Sequence, residues 1–209
     1  MNETDHIAGA MGGAGRLLFR GRGALLLGCL VPVAVAILAL LPVLRGGFLS
    51  DDYMLNYLLD HEQPDARVDW GEVAADFGRP WLGIEGSGNY RPLISVQYAV
   101  DLALGGGDPL MLHLSNLIAH VLSTLCCALL CALLCPRRPA LAALLGGLVF
   151  ALHPAAIETS GWIAGRVSGT QALFSLAAMA SFAWYRRLGN VHGLALAWIL
   201  AAMALLSKE

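Results

Sequence analysis

The sequence has 209 residues, of which 57% are hydrophobic and only 13% are charged, and its formal net charge is −2 at pH 7. Charged residues make up about a quarter of a typical soluble domain, so this composition excludes an ordinary soluble protein of this length. There is also no basic tract and no interleaving of basic with aromatic residues, which excludes a nucleic-acid-binding protein.

Apolar segments along the chain predict an all-α fold, a polytopic transmembrane helical bundle with about five spans. The first segment is about 20 residues long, enough to cross the hydrocarbon core of a bilayer. Its length, and the lack of a small-residue cleavage pattern after it, favour a membrane span over a signal peptide. The third and fifth segments are the shortest. The predicted spans are about 24–44, 109–135, 140–153, 168–185 and 194–206.

The distribution of arginine predicts the orientation of these spans, because cytoplasmic loops of membrane proteins are enriched in basic residues. Three clusters fall on one side when the spans alternate in direction: Arg16, Arg20 and Arg22, Arg137 and Arg138, and Arg186 and Arg187. Residues 1–23 are then a cytoplasmic tail, and 24–209 form the transmembrane domain. The long loop at about 46–108 and the connection at 153–166 lie on the non-cytoplasmic side.

Two helices are expected within the long loop. Residues 70–77 read as a short helix. Apolar residues recur at helical spacing over 92–104, with a proline at the start and three glycines after the end, so we expect a helix lying in the membrane interface.

The five cysteines all lie in or beside apolar segments, so we interpret them as packing residues rather than as a disulfide framework or a zinc site.

Two adjacent carboxylates, Asp51 and Asp52, follow the first span. Like charges on neighbouring residues repel, so the pair needs water, a cation or a reacting group nearby. One hypothesis is a general base that accepts a proton from an acceptor hydroxyl. The structural alternative is that Ser50 or Asp51 caps a helix that begins near Tyr53. Paired carboxylates also suit a divalent cation, although nothing in the sequence requires a cofactor or defines a metal site.

The second predicted span carries three polar residues on one helical face: His113, Asn116 and His120. Polar groups at membrane depth normally face a bundle interior or a water-filled cavity. They therefore line a substrate site, or they form hydrogen bonds between helices. His113 lies nearest the non-cytoplasmic surface and is the better candidate for contact with a substrate.

A third group of polar residues lies between the third and fourth spans: His153, Glu158 and Arg166. An arginine binds phosphate oxygens in a bidentate manner, so Arg166 together with Arg91 is a candidate site for a lipid-linked phosphate. The alternative is an ion pair between Glu158 and Arg166, with Trp162 as an anchor at the membrane interface.

Six short motifs follow one another along the chain: Ser50-Asp51-Asp52-Tyr53, Tyr90-Arg91-Pro92-Leu93, 113–120, 150–154, 158–166 and Leu206-Ser207-Lys208-Glu209. Taken in order, this succession resembles the amino-terminal half of polytopic GT-C glycosyltransferases. It is most similar to the tetratricopeptide-repeat-linked transmembrane protein O-mannosyltransferases and their bacterial relatives.

This resemblance implies transfer of a sugar from a polyprenyl-phosphate donor to an acceptor hydroxyl outside the cytoplasm, with Asp51 and Asp52 catalytic. We expect inversion at the sugar, with Arg91, Arg166 and Lys208 stabilising the phosphate. The acceptor is a protein, glycan or lipid, and a bacterial plasma membrane is the expected location. Family members continue with further spans and repeats, so we expect this chain to be part of a longer enzyme.

A non-catalytic polytopic membrane protein is the alternative function, as a transporter-like protein or as an inactive truncated fragment. Polar residues such as His113 and Asn116 would then line a transport pathway. Transporters often contain paired interrupted helices in two halves, and the sequence shows no such symmetry.

Overall fold

The computed structural model describes residues 21–60 and 67–209, so most of the predicted cytoplasmic tail, with Arg16 and Arg20, lies outside it. The described chain is mainly helical, with few residues in strands, which confirms the predicted fold class. The eight α-helices in this part are α1 Arg22–Leu40, α2 Trp70–Ala75, α3 Pro92–Gly105, α4 Pro109–Leu134, α5 Pro139–Ala151, α6 Ala155–Gly161, α7 Arg166–Leu188 and α8 Val191–Ser207. Short 3₁₀ helices cover Leu41–Arg45, Ser50–Leu58 and Trp81–Gly83. Strands β1 Leu59–Asp60 and β2 Arg67–Val68 form an antiparallel pair.

Helix ends fall where the sequence supplies a start or stop signal. Proline occupies the first helical position of α3, α4 and α5, where its missing N–H removes no helical hydrogen bond. Asp108 caps α4 by accepting a hydrogen bond from the Leu110 N–H at 2.9 Å. Gly106 and Gly189 end α3 and α7 in the left-handed conformation, which glycine adopts without steric cost.

Helix α4 is the centre of the bundle and packs against α1, α5 and α7, while α8 packs along α7. Glycine residues allow the closest approaches between helices. A Cβ atom on Gly28 of α1 would lie 2.5 Å from the carbonyl oxygen of Ala140, and one on Gly147 would lie 2.7 Å from the side chain of Pro32. Many leucines on the outside of α1 and α4 remain exposed, as expected for helices that face lipid.

Two helical segments are long and apolar enough to cross a membrane, Arg22–Arg45 and Pro109–Leu134. Helices α5 and α6 together would form a third span, which is bent by 66° at their junction. Helices α7 and α8 lie where the last two spans are predicted, but they do not meet the same criteria of length and hydropathy. The chain is therefore an integral membrane protein, and the count of five spans stays a prediction.

The expected helices of the long loop are present as α2 and α3. They pack with the Ser50–Leu58 segment over the beginnings of α4 and α7, around a buried cluster that includes Leu58, Ile94 and Ile163. This cluster holds the loop against one end of the bundle. The candidate site lies at that end.

Candidate active site at one end of the bundle

A cavity of about 230 Å³ opens between the loop and the helix ends. Its walls come from the Ser50–Leu58 segment, the Trp81–Gly83 turn, the start and first turns of α3, the region of α6 and α7, and the end of α8. The lining residues are Asp51, Met54, Leu55, Trp81, Leu82, Arg91, Tyr98, Glu158, Thr159, Trp162, Ala164, Gly165, Val167, Ser168 and Lys208. We call this the polar cavity.

Four of the predicted site residues meet in the polar cavity: Asp51, Arg91, Glu158 and Lys208. They come from four separate parts of the chain, and they bring two carboxylates and two cations to one small volume. Asp51 and Glu158 are solvent-exposed. The cavity can therefore hold an anion against its basic residues while keeping a carboxylate accessible for proton transfer.

The two cations of the cavity are each held in place. The guanidinium of Arg91 lies over the ring of Trp81, 5.0 Å from its centroid, and the side chain is 16% exposed. Its Nη2 donates to Asn89 Oδ1 at 3.0 Å and to Glu209 Oε1 at 3.2 Å. The Nζ of Lys208 donates to Ser168 Oγ at 3.1 Å.

The two adjacent aspartates have different surroundings. Asp52 is 2% exposed and does not line the polar cavity. Its Oδ2 accepts a hydrogen bond from the Leu49 N–H at 2.8 Å, and its Oδ1 accepts one from the Ala164 N–H at 2.7 Å. Neither bond is the N-cap that the sequence suggested for Ser50 or Asp51, because an N-cap side chain accepts from N–H groups that follow it, whereas Leu49 precedes Asp52. Asp52 instead fixes the Ser50–Leu58 segment to the α6–α7 connection, and Asp51 lines the cavity.

Arg166 is placed away from the cavity lining and is 2% exposed. Its Nη1 lies 2.7 Å from Asp101 Oδ2, so its ion-pair partner is Asp101 and not Glu158. Its Nε donates to Asn116 Oδ1 at 3.1 Å, and its Nη2 donates to the Leu112 carbonyl at 2.9 Å. We call Asp101, Asn116 and Arg166 the buried polar network. With these partners, Arg166 has little capacity left for the phosphate that the sequence assigned to it.

The remaining polar candidates make contacts between structural elements. Asn116 Nδ2 donates to the Trp162 carbonyl at 3.0 Å, and His120 Nε2 lies 3.3 Å from the Ala151 carbonyl. His113 is buried against the backbone of Gly46. His153 Nδ1 accepts a hydrogen bond from the Ala155 N–H at 3.2 Å in the bend between α5 and α6. His120 and His153 also line a separate, mainly apolar cavity of about 340 Å³.

Several lining residues were not singled out as site residues from the sequence, notably Trp81, Tyr98 and Ser168. Tyr98 donates its hydroxyl to the Ile163 carbonyl at 3.1 Å, and burial raises the pKa of its phenol above the ordinary value. The sequence feature that could have identified Trp81 is its position, as a large aromatic residue in a polar loop between a proline and a glycine-rich turn.

Within residues 21–60 and 67–209, no three His, Cys, Asp or Glu side chains cluster as they would around a metal ion.

Comparison with known proteins gives a consistent set of relatives. The chain is 31% identical over 84% of its length to the Protein O-mannosyl-transferase Tmtc1 of Drosophila melanogaster, of which the match covers 20%. It is 29% identical over 66% of its length to the Protein O-mannosyl-transferase TMTC1 of Homo sapiens, covering 16% of that protein. It is 31% identical over 58% of its length to the Protein O-mannosyl-transferase tmtc2 of Xenopus laevis, covering 15%.

No family model matches the chain, and no solved structure gives a significant match. The chain spans about one fifth or less of the length of these curated relatives. The resemblance seen in the motifs thus agrees with relatives found by overall identity. Over most of its length, this chain is homologous to the TMTC1 and TMTC2 protein O-mannosyl-transferases.

Proposed function

We propose that this chain forms the part of a membrane glycosyltransferase that binds a polyprenyl-phosphate-linked sugar and activates an acceptor hydroxyl. The observation that carries the proposal is the polar cavity, which places Asp51 with Arg91 and Lys208. The names of the relatives, protein O-mannosyl-transferases, support mannose as the sugar and a protein hydroxyl as the acceptor. The reaction takes place on the non-cytoplasmic face of the membrane.

Asp51 is the proposed general base. Its carboxylate accepts the proton of the acceptor hydroxyl while that oxygen forms a bond to C1 of the sugar. The bond between C1 and the phosphate oxygen breaks, and its electron pair leaves with the phosphate. Because the oxygen attacks from the face opposite the phosphate, the configuration at C1 is inverted. Asp51 suits this role better than Asp52, whose two carboxylate oxygens both accept backbone hydrogen bonds.

Arg91 and Lys208 are the proposed phosphate ligands. Charge develops on the phosphate oxygens as the C1–O bond breaks, and fixed cations at that position stabilise the transition state. Stacking on Trp81 and the hydrogen bond to Asn89 fix the guanidinium of Arg91 before the donor arrives. We leave Arg166 out of this set because Asp101, Asn116 and Leu112 already engage it.

A divalent cation is an alternative source of charge at the phosphate. Treatment of the membranes with a chelator separates the two cases. Transfer that survives the chelator supports phosphate binding by Arg91 and Lys208 alone. Transfer that is lost and then restored by Mg²⁺ or Mn²⁺ would assign part of that role to a metal.

The experiment that tests the proposal is an Asp51→Asn substitution in the protein at its full natural length. Membranes are supplied with polyprenyl-phosphate mannose labelled in the sugar, and incorporation into protein is measured. Removing a general base should lower the rate about 100-fold or more. Glu85→Gln is the matched control, because Glu85 is an exposed carboxylate of the same loop outside the cavity lining. Equal transfer by Asp51→Asn and wild type would refute the assignment.

A further inference from the structure

Glu209 connects the end of α8 to the long loop, at residues far away in the sequence. Its Oε1 accepts a hydrogen bond from Arg91 Nη2 at 3.2 Å, across 118 residues. Its Oε2 accepts one from the Tyr90 N–H at 2.8 Å, across 119 residues. The two oxygens of one carboxylate thus hold both the backbone and the side chain of this short stretch of the loop.

The segment that carries Glu209 is itself fixed, both within α8 and to α7. The Oγ of Ser207 donates to the Met203 carbonyl at 2.7 Å, and this serine is buried. Lys208 donates to Ser168 on α7, and Gln171 Nε2 donates to the Lys208 carbonyl at 3.5 Å. Residues 207–209 therefore bridge α7 and the loop beside the polar cavity.

The contact with Glu209 restricts how the guanidinium of Arg91 can lie. Nη2 is shared between Asn89 and Glu209, and the face of the guanidinium rests on Trp81. The Nε of Arg91 is buried and has no hydrogen-bond partner among the described residues. A guanidinium has five N–H groups in a fixed plane, so a partner at Nη2 also determines the direction of the others.

We propose that Glu209 is a positioning residue, which orients Arg91 so that its remaining N–H groups bind the donor phosphate. Glu209 contacts Arg91 and the Tyr90 backbone, and it touches no reacting atom in this scheme. The inference rests on the proposed function, because it presupposes that Arg91 binds the phosphate of a lipid-linked sugar. It adds a residue outside the cavity lining to the set that determines donor affinity.

The test is a double-mutant cycle on the protein at its full natural length, purified in detergent. Binding of farnesyl phosphate, a short polyprenyl phosphate, is measured for wild type, Arg91→Ala, Glu209→Ala and the double variant. Glu209→Ala should weaken binding about tenfold, the loss expected when a charge-assisted contact no longer orients its partner. In the Arg91→Ala background the second substitution should change nothing, because Glu209 acts only through Arg91. Glu85→Ala is the matched control and should bind like wild type.

Transfer kinetics supply a second readout, on Glu209→Ala and on the milder Glu209→Asp and Glu209→Gln. The KM for the lipid-linked donor should rise, the KM for the acceptor should stay unchanged, and Glu209→Asp should recover part of the loss. Additive effects of Glu209→Ala and Arg91→Ala, or equal loss of affinity for donor and acceptor, would overturn the inference. A wild-type protein that neither binds farnesyl phosphate nor transfers sugar would instead defeat the proposed function, and the inference with it.

Discussion

The polar cavity and the buried polar network lie side by side and contain the same residue types. Their side chains differ in how far other protein groups already engage them. In the network, Arg166 contacts Asp101, Asn116 and the Leu112 carbonyl. In the cavity, the carboxylate of Asp51 is exposed, and Arg91 keeps a buried Nε–H without a partner among the described residues. Both regions contain arginine and aspartate, so residue type alone does not distinguish them.

Structural and functional charges in this protein differ in whether the protein itself pairs them. A charge removed from water is costly unless an opposite charge pairs it, and in the network the ion pair between Arg166 and Asp101 supplies that pairing within the protein. The cavity leaves its acids and bases available, which is the state needed for a ligand and for proton transfer. We therefore expect substitutions in the network to reduce stability and substitutions in the cavity to reduce activity.

The largest effect on stability is expected for Arg166→Ala. This change leaves Asp101 without its partner in a mostly buried position, and removing one member of such a pair typically costs about 3–5 kcal/mol. Unfolding of the purified protein in detergent measures the loss. Arg91→Ala is the comparison, and we expect a loss below about 1 kcal/mol because its ion pair with Glu209 is partly exposed. Equal destabilisation by the two variants would contradict the division between network and cavity.

Substitutions of the two adjacent aspartates should also differ in their effect on stability, by a somewhat smaller amount. Asp52→Ala leaves the Leu49 and Ala164 N–H groups without their acceptor, which should cost about 3 kcal/mol. Asp51→Ala should change stability by no more than about 0.5 kcal/mol, since its side chain is exposed. The same unfolding measurement applies. An Asp51 variant that is as unstable as the Asp52 variant would show that both carboxylates are structural.

Trp81 lines the polar cavity and also hydrogen-bonds to a buried side chain, so its substitution should have a smaller effect, on both activity and stability. Its ring supports Arg91, while its Nε1–H donates to Ser95 Oγ at 3.0 Å, and Ser95 is fully buried. Trp81→Phe keeps an aromatic ring but loses this hydrogen bond, which should cost about 1 kcal/mol of stability. Trp81→Leu should also raise the KM for donor, because it removes the surface under the guanidinium. A donor KM that is unchanged in Trp81→Leu would exclude Trp81 from positioning Arg91.

The sequence predicted the helical architecture well because apolar runs, prolines and glycines act locally. It also singled out Asp51, Arg91, Glu158 and Lys208, which meet in the cavity. The sequence did not show which of Asp51 and Asp52 is structural, because Asp52 is fixed by a hydrogen bond from the Ala164 N–H, 112 residues away. It also considered Glu158 as the partner of Arg166 from proximity in sequence, whereas the fold brings Asp101 to that position. Tertiary contacts of this kind leave no local pattern.

The smallest predicted effect concerns the pH dependence of the contact made by Glu209. Partial burial raises the pKa of this carboxyl, but the hydrogen bond from the Tyr90 N–H and the charge of Arg91 outweigh it and lower the pKa below the ordinary value. Since the folded pKa is below the unfolded value of about 4.3, the ionised carboxylate adds stability in neutral solution that is lost as the pH falls through the folded pKa.

The melting temperature of wild type should therefore exceed that of Glu209→Gln by a constant, small amount above about pH 5. The difference should decline as the pH falls below the unfolded pKa and vanish once the pH is below the lowered folded pKa. Glu85→Gln should show no such change. A difference between wild type and Glu209→Gln that persists at low pH would mean that shape, and not the charge on Glu209, holds Arg91. The ion pair would then contribute nothing to the orientation of the guanidinium, and the distinction between cavity and network would rest on Asp51 alone.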